Sequence, residues 1–456
     1  MANTPSNGNP PAAASPRGVR SAVVIGSALE WFDFYLYASM AALVFGKIFF
    51  PTGNETVATL ASLGTFAVGF LARPLGGVVF GIMGDRIGRK KVLALTFTLM
   101  GVSSACIGLL PTYSSVGLAA PLLLVFFRLL QGLGAGAEFG SAITVAYEHA
   151  APGSRGRQGS WPALGVNLGL LASSLVVAAL TSTSKGFLYD FGWRIPFLMS
   201  FALVGIGLWV RRRMPETPEF EQLATEKEAP HAPRRHPFTT LLRSNWRGLA
   251  VVMAITIGYN GVSYIFKTFS LAYLTDFRDV PASVGALGIS IASCVAIACI
   301  PVIGRITDRY GPQRLVLAGA VATGLLAFPF FWLLDTGTSW LIWLALTLAT
   351  GLVVPTMLAA QGAFLARQFP ADVRASGLGT GREVGGALSG GLAPLAAFAT
   401  VQASPGHATW GVSLLFVAGA LLVGVGALFD RSRHEGAEDP EQDGGTADAP
   451  APARVG

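Results

Sequence analysis

A chain of 456 residues that is 52% hydrophobic and only 12% charged lacks the polar surface of a soluble protein, where about a quarter of residues carry charge. That balance excludes a water-soluble enzyme and indicates an integral membrane protein. The formal charge of +7 does not indicate nucleic acid, because the cations lie in short loops between apolar runs and form no basic face.

A bilayer-spanning helix needs about 20 mostly apolar residues. The chain opens with a polar leader over 1–20, which has no apolar core for a cleavable signal peptide. Six apolar segments follow, at 21–46, 57–82, 91–110, 120–147, 159–181 and 192–211. A charge-rich linker over 212–247 separates them from six more, at 248–274, 283–304, 314–335, 338–365, 376–402 and 408–429. The expected fold is therefore all-α, with twelve transmembrane helices in two six-helix bundles over 21–211 and 248–430. An acidic tail over 431–456 has the composition of a disordered segment.

Placing both termini in the cytoplasm puts most of the 32 cations on that side and leaves Lys47, Lys185, Arg194 and Arg278 on the other. This is the distribution the positive-inside rule requires, and it predicts a multi-pass protein of the inner membrane. The three cysteines, Cys106, Cys294 and Cys299, fall inside apolar runs and are odd in number, so free thiols are expected and no metal site or cofactor. Glycine is patterned every four residues at Gly132, Gly136 and Gly140, at Gly165 and Gly169, and at Gly377, Gly381 and Gly385. Such spacing lets helices approach closely, either as static packing or as smooth faces on which two bundles rock.

One loop is written twice. Gly81, Asp85, Arg86, Gly88 and Lys91, with Arg89 and Lys90 between the last two, recur in weaker form as Gly304, Asp308, Arg309, Gly311 and Arg314, at a common offset of 223 residues. Together with Arg128-Leu-Leu-Gln131-Gly132 and Glu138 in the fourth segment, this resembles the signature motifs of the major facilitator superfamily. Glu30-Trp31-Phe32-Asp33, Arg73-Pro74-Leu75-Gly76-Gly77, Trp193-Arg194-Ile195-Pro196 and Pro215-Glu216-Thr217-Pro218 narrow the resemblance to the metabolite:proton symporters, which include permeases for shikimate, 2-oxoglutarate, citrate, and proline or betaine. The resemblance implies two pseudo-symmetric bundles working by alternating access. Arg382-Glu383 departs from it, since related permeases tend to carry uncharged polar residues there.

The residues support a carrier independently. A charge at the bilayer centre costs at least about 2.5–3.5 kcal/mol, so ionisable groups there usually face a cavity. Glu30, Asp33 and Tyr37 share one helix face; Arg128, Gln131 and Glu138 share another, predicting an aqueous path between the first and fourth segments. Arg128 and Glu138 read either as members of fixed ion pairs with partners on neighbouring helices or as functional groups, Arg128 then clamping a substrate carboxylate, for which guanidinium offers a rigid fork. In the seventh segment Tyr259, Asn260 and Tyr264 lie on one side and suit hydroxyl or carboxylate recognition, and Gln131, Tyr37 and Arg382 are further candidate substrate contacts. Asp33, Glu30, Glu138 and Glu383 are candidate proton carriers, Asp33 first. All five histidines lie in loops or at helix ends, which leaves the relay to carboxylates. Arg73 reads either as functional or as a helix-end anchor, and Lys267 as lining the periplasmic mouth or as an interface lysine. In the repeated loop, Asp85 is expected to meet the start of the eleventh helix near Arg374, and Asp308 the start of the fifth near Arg155 and Arg157, closing a gate; the alternative is that these cations only set topology.

The expected function is proton-coupled symport of a small organic anion by a monomer in the lipid bilayer. Symport of a zwitterionic osmolyte such as proline or betaine is the alternative. A membrane redox enzyme would need mid-helix histidine pairs or a nucleotide-binding domain, and the sequence has neither.

Overall fold

The computed structural model describes residues 16–212 and 241–430, apart from residues 88, 137, 149, 152, 242, 371 and 372. The leader before residue 16, most of the 212–247 linker and the tail after 430 lie outside the described residues. Everything described is helix or short connection. In chain order the long helical passages are α1 (Pro16–Leu43), α2 (Glu55–Ile87), α3 (Arg89–Gly108), α4 (Ala119–Ala135 and Glu138–Glu148), α5 (Arg155–Thr181) and α6 (Arg194–Arg212). The second set is α7 (Trp246–Phe277), α8 (Ala282–Tyr310), α9 (Pro312–Leu326 and Pro329–Asp335), α10 (Ser339–Ala366), α11 (Arg374–Ser389 and Leu392–Ala403) and α12 (Trp410–Leu428). Among the described residues seven helices are long and apolar enough to cross a membrane, or nine if two bent pairs each count as one span. Glu30 and Asp33 dilute the apolar character of α1, and α3 and the first part of α4 contribute shorter apolar stretches.

Proline shapes the irregular passages. Pro329 cannot donate to the preceding turn, and α9 bends by 47° there. In α10 a π-helical turn, Thr347–Val353, ends just before Pro355. A second π turn, Ile265–Phe269, interrupts α7 and carries Lys267 at its middle. Such turns insert a residue into the helical register and often mark functional positions.

Glycine sets the spacing between helices. A Cβ on Gly132 would lie 2.1 Å from the carbonyl oxygen of Gly69, and one on Gly136 would lie 2.1 Å from that of Arg73. Gly76 approaches the Leu133 carbonyl as closely, so α2 and α4 touch backbone to backbone. Gly165 and Gly169 do the same for α5 against α1, and Gly381 and Gly385 let α11 close on α7. The four-residue periodicity therefore builds close packing in this conformation.

The two bundles meet at both ends. At the end bearing the repeated loop, Gly362 of α10 lies against Gly159 of α5, and Gly304 of α8 against Ser160. At the opposite end Thr59 of α2 donates to the Asp276 carboxylate of α7 at 3.0 Å, and Gly391 of α11 abuts Ala67. Ser290 of α8 and Ser174 of α5 share a buried hydrogen bond of 2.9 Å between them. With contacts at both ends, the polar interior is occluded.

Candidate functional site

Three buried polar groupings occupy the interior, and each is built from helices whose ionisable residues have no place in lipid. The first spans the bundles. Arg73 of α2 donates through Nε to Glu383 Oε2 at 2.6 Å and through Nη2 to Oε1 at 3.3 Å, a two-pronged pair with α11. Its Nη2 also lies 3.6 Å from Glu30 Oε1 of α1 and 3.4 Å from the Ala135 carbonyl of α4. Arg73 is only 3% exposed, so it is no helix-end anchor reaching for the interface. Glu383 finds its partner on another helix, as the angle between adjacent residues on a helix requires. Here Glu30 and Glu383, two candidate proton carriers, both lie against one guanidinium.

The second grouping lies within the first bundle. Arg128 of α4 is completely buried, its guanidinium stacked 4.0 Å over the Tyr37 ring, 4.5 Å over Phe34 and 5.2 Å over Phe66. Gly69 makes this possible, because a Cβ there would come within 2.3 Å of Arg128 Nε. Nη1 donates to Gln131 Oε1 at 2.5 Å, and Gln131 Nε2 donates to Ser104 Oγ at 2.6 Å. Ser104 is in turn a hydrogen-bond partner of Asp33, whose carboxylate also accepts from Ser200 of α6 at 2.6 Å. A chain of hydrogen bonds thus runs from Arg128 to Asp33. Among the described residues, Arg128 Nε and Nη2 meet no acceptor. Two charged donors without acceptors in a dry site are costly, and that cost falls when an anion arrives.

The third grouping lines a narrow, closely packed crevice between the bundles. Trp31 and Tyr35 of α1 face Tyr259, Asn260, Ser263 and Tyr264 of α7, with Arg382 of α11 closing one side. The candidates Tyr259, Asn260 and Arg382 therefore come together. Tyr37 does not join them; its hydroxyl pairs with Thr65 at 2.7 Å and its ring supports Arg128. Glu138 is buried at the start of the second part of α4.

In the repeated loop, Asp308 accepts from the backbone N–H of Gly156 at 2.7 Å and of Arg157 at 3.1 Å, where α5 begins. Arg309 is exposed and lies against its neighbour Tyr310. Arg374 donates to the Ala366 carbonyl and lies 5.3 Å from the Tyr147 ring. Of the first copy, Gly81 falls within α2, while Gly88 and the side chains of Asp85, Arg86 and Arg89 lie outside the described residues.

Trp31 and Tyr35 escaped the sequence analysis as site residues, and Lys267, read there as lining the periplasmic mouth or as an interface lysine, is 2% exposed within α7 and so is no interface lysine. Tyr35 had no signal beyond its place two residues from Asp33, and Lys267 only its isolation in an apolar run.

Known proteins share both sequence and fold with this chain. The family model described as Major Facilitator Superfamily matches residues 23–394 and 270–454. The shikimate transporter of Escherichia coli (strain K12) is 36% identical over 411 residues, covering 88% of this chain and 92% of that protein. The proline/betaine transporter of the same organism is 34% identical over 391 residues, covering 84% and 77%. Among solved structures, the xylose transporter XylE from E. coli in a partially occluded inward-open conformation superposes with a TM-score of 0.67 at 16% identity. That match covers 95% of this chain and 100% of the other and speaks to fold alone.

Proposed function

This chain belongs to the Major Facilitator Superfamily, and from that premise we propose that it carries a small organic anion together with a proton by alternating access. It is a multi-pass membrane transporter and not an enzyme. The observation that carries the choice of cargo is Arg128, fully buried with two guanidinium nitrogens lacking acceptors beside a protonatable Asp33. A proton on Asp33 and an anion near Arg128 would enter as a neutral pair, which lowers the electrostatic cost of crossing the dry interior. Similarity to a shikimate transporter supports a hydroxylated carboxylate, and di- or tricarboxylates share the chemistry. Similarity to a proline/betaine transporter supports the second reading, a zwitterion, whose carboxylate would use the same arginine. The reading includes placement in the inner membrane as a monomer with both termini cytoplasmic, and bundles over 21–211 and 248–430 joined by the 212–247 linker.

Purified protein in liposomes will accumulate labelled shikimate, 2-oxoglutarate or citrate only when a proton gradient, acidic outside, is imposed. Accumulation indifferent to that gradient excludes symport, and accumulation of proline or betaine alone selects the second reading.

Asp308 is the gate residue this reading offers. Its carboxylate holds two N–H groups at the positive start of α5, so it ties the bundles together at the end predicted to face the cytoplasm. Asp308→Ala releases that tie. A cysteine placed at Ser160, buried beside Gly304, should then react with a water-soluble maleimide several-fold faster than in the unaltered background. An unchanged rate would mean that Asp308 does not restrain opening.

A further inference from the structure

Lys267 has no part in the coupling scheme above, yet it is among the most deeply buried charged groups in the protein. It is 2% exposed in the π turn of α7, and among the described residues it forms no ion pair. Its Nζ donates to the Tyr35 hydroxyl at 3.0 Å and lies 4.9 Å from the centre of that ring. An ammonium left without a carboxylate inside a membrane protein is expensive to hold and normally serves a ligand or an ion path.

Tyr35 connects this charge to the crevice, which it lines. Because its oxygen accepts from Lys267, its own O–H proton is left to donate elsewhere. Across the crevice the Tyr264 hydroxyl, 1% exposed, has no hydrogen-bond partner among the described residues. Arg382 contributes a second cation to the lining. Two phenol donors and a guanidinium thus converge on one space, with an ammonium behind one of the phenols and aromatic rings around it. The Tyr264 donor without an acceptor among the described residues, beside a cationic lining, describes a site for an anionic acceptor, and the flat rings suit a cyclic or planar body.

We propose that this crevice is a carboxylate subsite in which Tyr35 and Tyr264 donate to the cargo carboxylate, and that Lys267 is a positioning residue that orients and polarises Tyr35. This deepens the organic-anion reading and rests on it for the identity of the cargo. Lys267 fixes the rotation of the Tyr35 hydroxyl and adds positive potential at the point where the carboxylate sits. The potential distinguishes a carboxylate from a neutral group of the same shape, which hydrogen bonding alone does poorly.

The test measures binding apart from transport. Shikimate, 2-oxoglutarate and citrate, each alongside its neutral carboxamide, are titrated by calorimetry into detergent-solubilised wild type and into K267M, K267R and Y35F. Circular dichroism and size-exclusion profiles establish that each variant is folded. The tightest-binding carboxylate should lose about tenfold or more in affinity in K267M and in Y35F, as expected when a charge-assisted hydrogen bond is removed. Its carboxamide should change less than about threefold, and K267R should retain most of the carboxylate preference. Equal losses for carboxylate and carboxamide, or no loss for either, would overturn the proposal, as would a wild type that binds none of the three acids. Carboxylate binding without gradient-driven uptake would instead remove the symport reading and leave the subsite standing.

Discussion

Replacing Arg73 with methionine will destabilise the folded protein by about 3–5 kcal/mol, the usual cost of removing one partner from a buried ion pair. The side chain is 3% exposed, and Glu383 and Glu30 are as deeply buried, so no water takes its place. The loss comes from leaving two carboxylates facing each other in a dry interior and exceeds the worth of the pair itself. Arg73→Met/Glu383→Met should therefore recover about half of the loss, because it leaves one buried carboxylate, Glu30, without the guanidinium instead of two. Equilibrium unfolding in mixed detergent micelles measures both variants. A single variant as stable as wild type would show that this triad is solvated, and a double variant no better than the single would show that Arg73 acts through packing alone.

The same triad shows what the sequence could and could not reveal. The membrane class, the helix count and the presence of a buried charge set were all legible, because apolar runs interrupted by single ionisable residues leave few other readings. The Asp308 contact with the start of α5 was foreshadowed by duplication, since the same loop in the other half predicted a helix start to bind. The Arg73 partnership was not legible. Its main partner lies 310 residues away, and no periodicity links the two positions. Tyr37 was grouped with Glu30 and Asp33 by helical spacing, which is correct as geometry on one helix. Spacing says nothing of the neighbour that face meets, and the neighbour is the Arg128 guanidinium. Tyr35, two residues earlier, points to the far side of α1 and meets α7. Lys267 was illegible for a different reason, because the π turn at Ile265–Phe269 shifts the helical register and carries it inward.

Asp33→Asn will abolish gradient-driven accumulation while sparing exchange of labelled for unlabelled substrate across the membrane. Coupling needs a group that gains and loses a proton in each cycle without dismantling the scaffold. Glu383 and Glu30 meet that requirement poorly, since protonating Glu383 breaks the Arg73 contact that joins the bundles and protonating Glu30 breaks one between α1 and α2. Asp33 is 3% exposed, and its hydrogen-bond partners are the neutral hydroxyls of Ser200 and Ser104, so a proton there breaks no ion pair. Through Ser104 and Gln131 it is connected to Arg128, whose readiness to hold an anion depends on how much negative charge already sits nearby. Protonating Asp33 removes a competing negative charge and strengthens the pull of Arg128 on the cargo, while binding of the cargo in turn favours the proton. That reciprocity is required of any two coupled binding events. Asparagine resembles the protonated aspartate in shape and in hydrogen bonding, so the variant should bind and exchange cargo with no proton moving. Accumulation against a gradient should fall to the level of empty liposomes, with exchange within about threefold of wild type. Equal loss of both activities would make Asp33 part of the cargo site or of the fold, and would transfer the coupling role to Glu138.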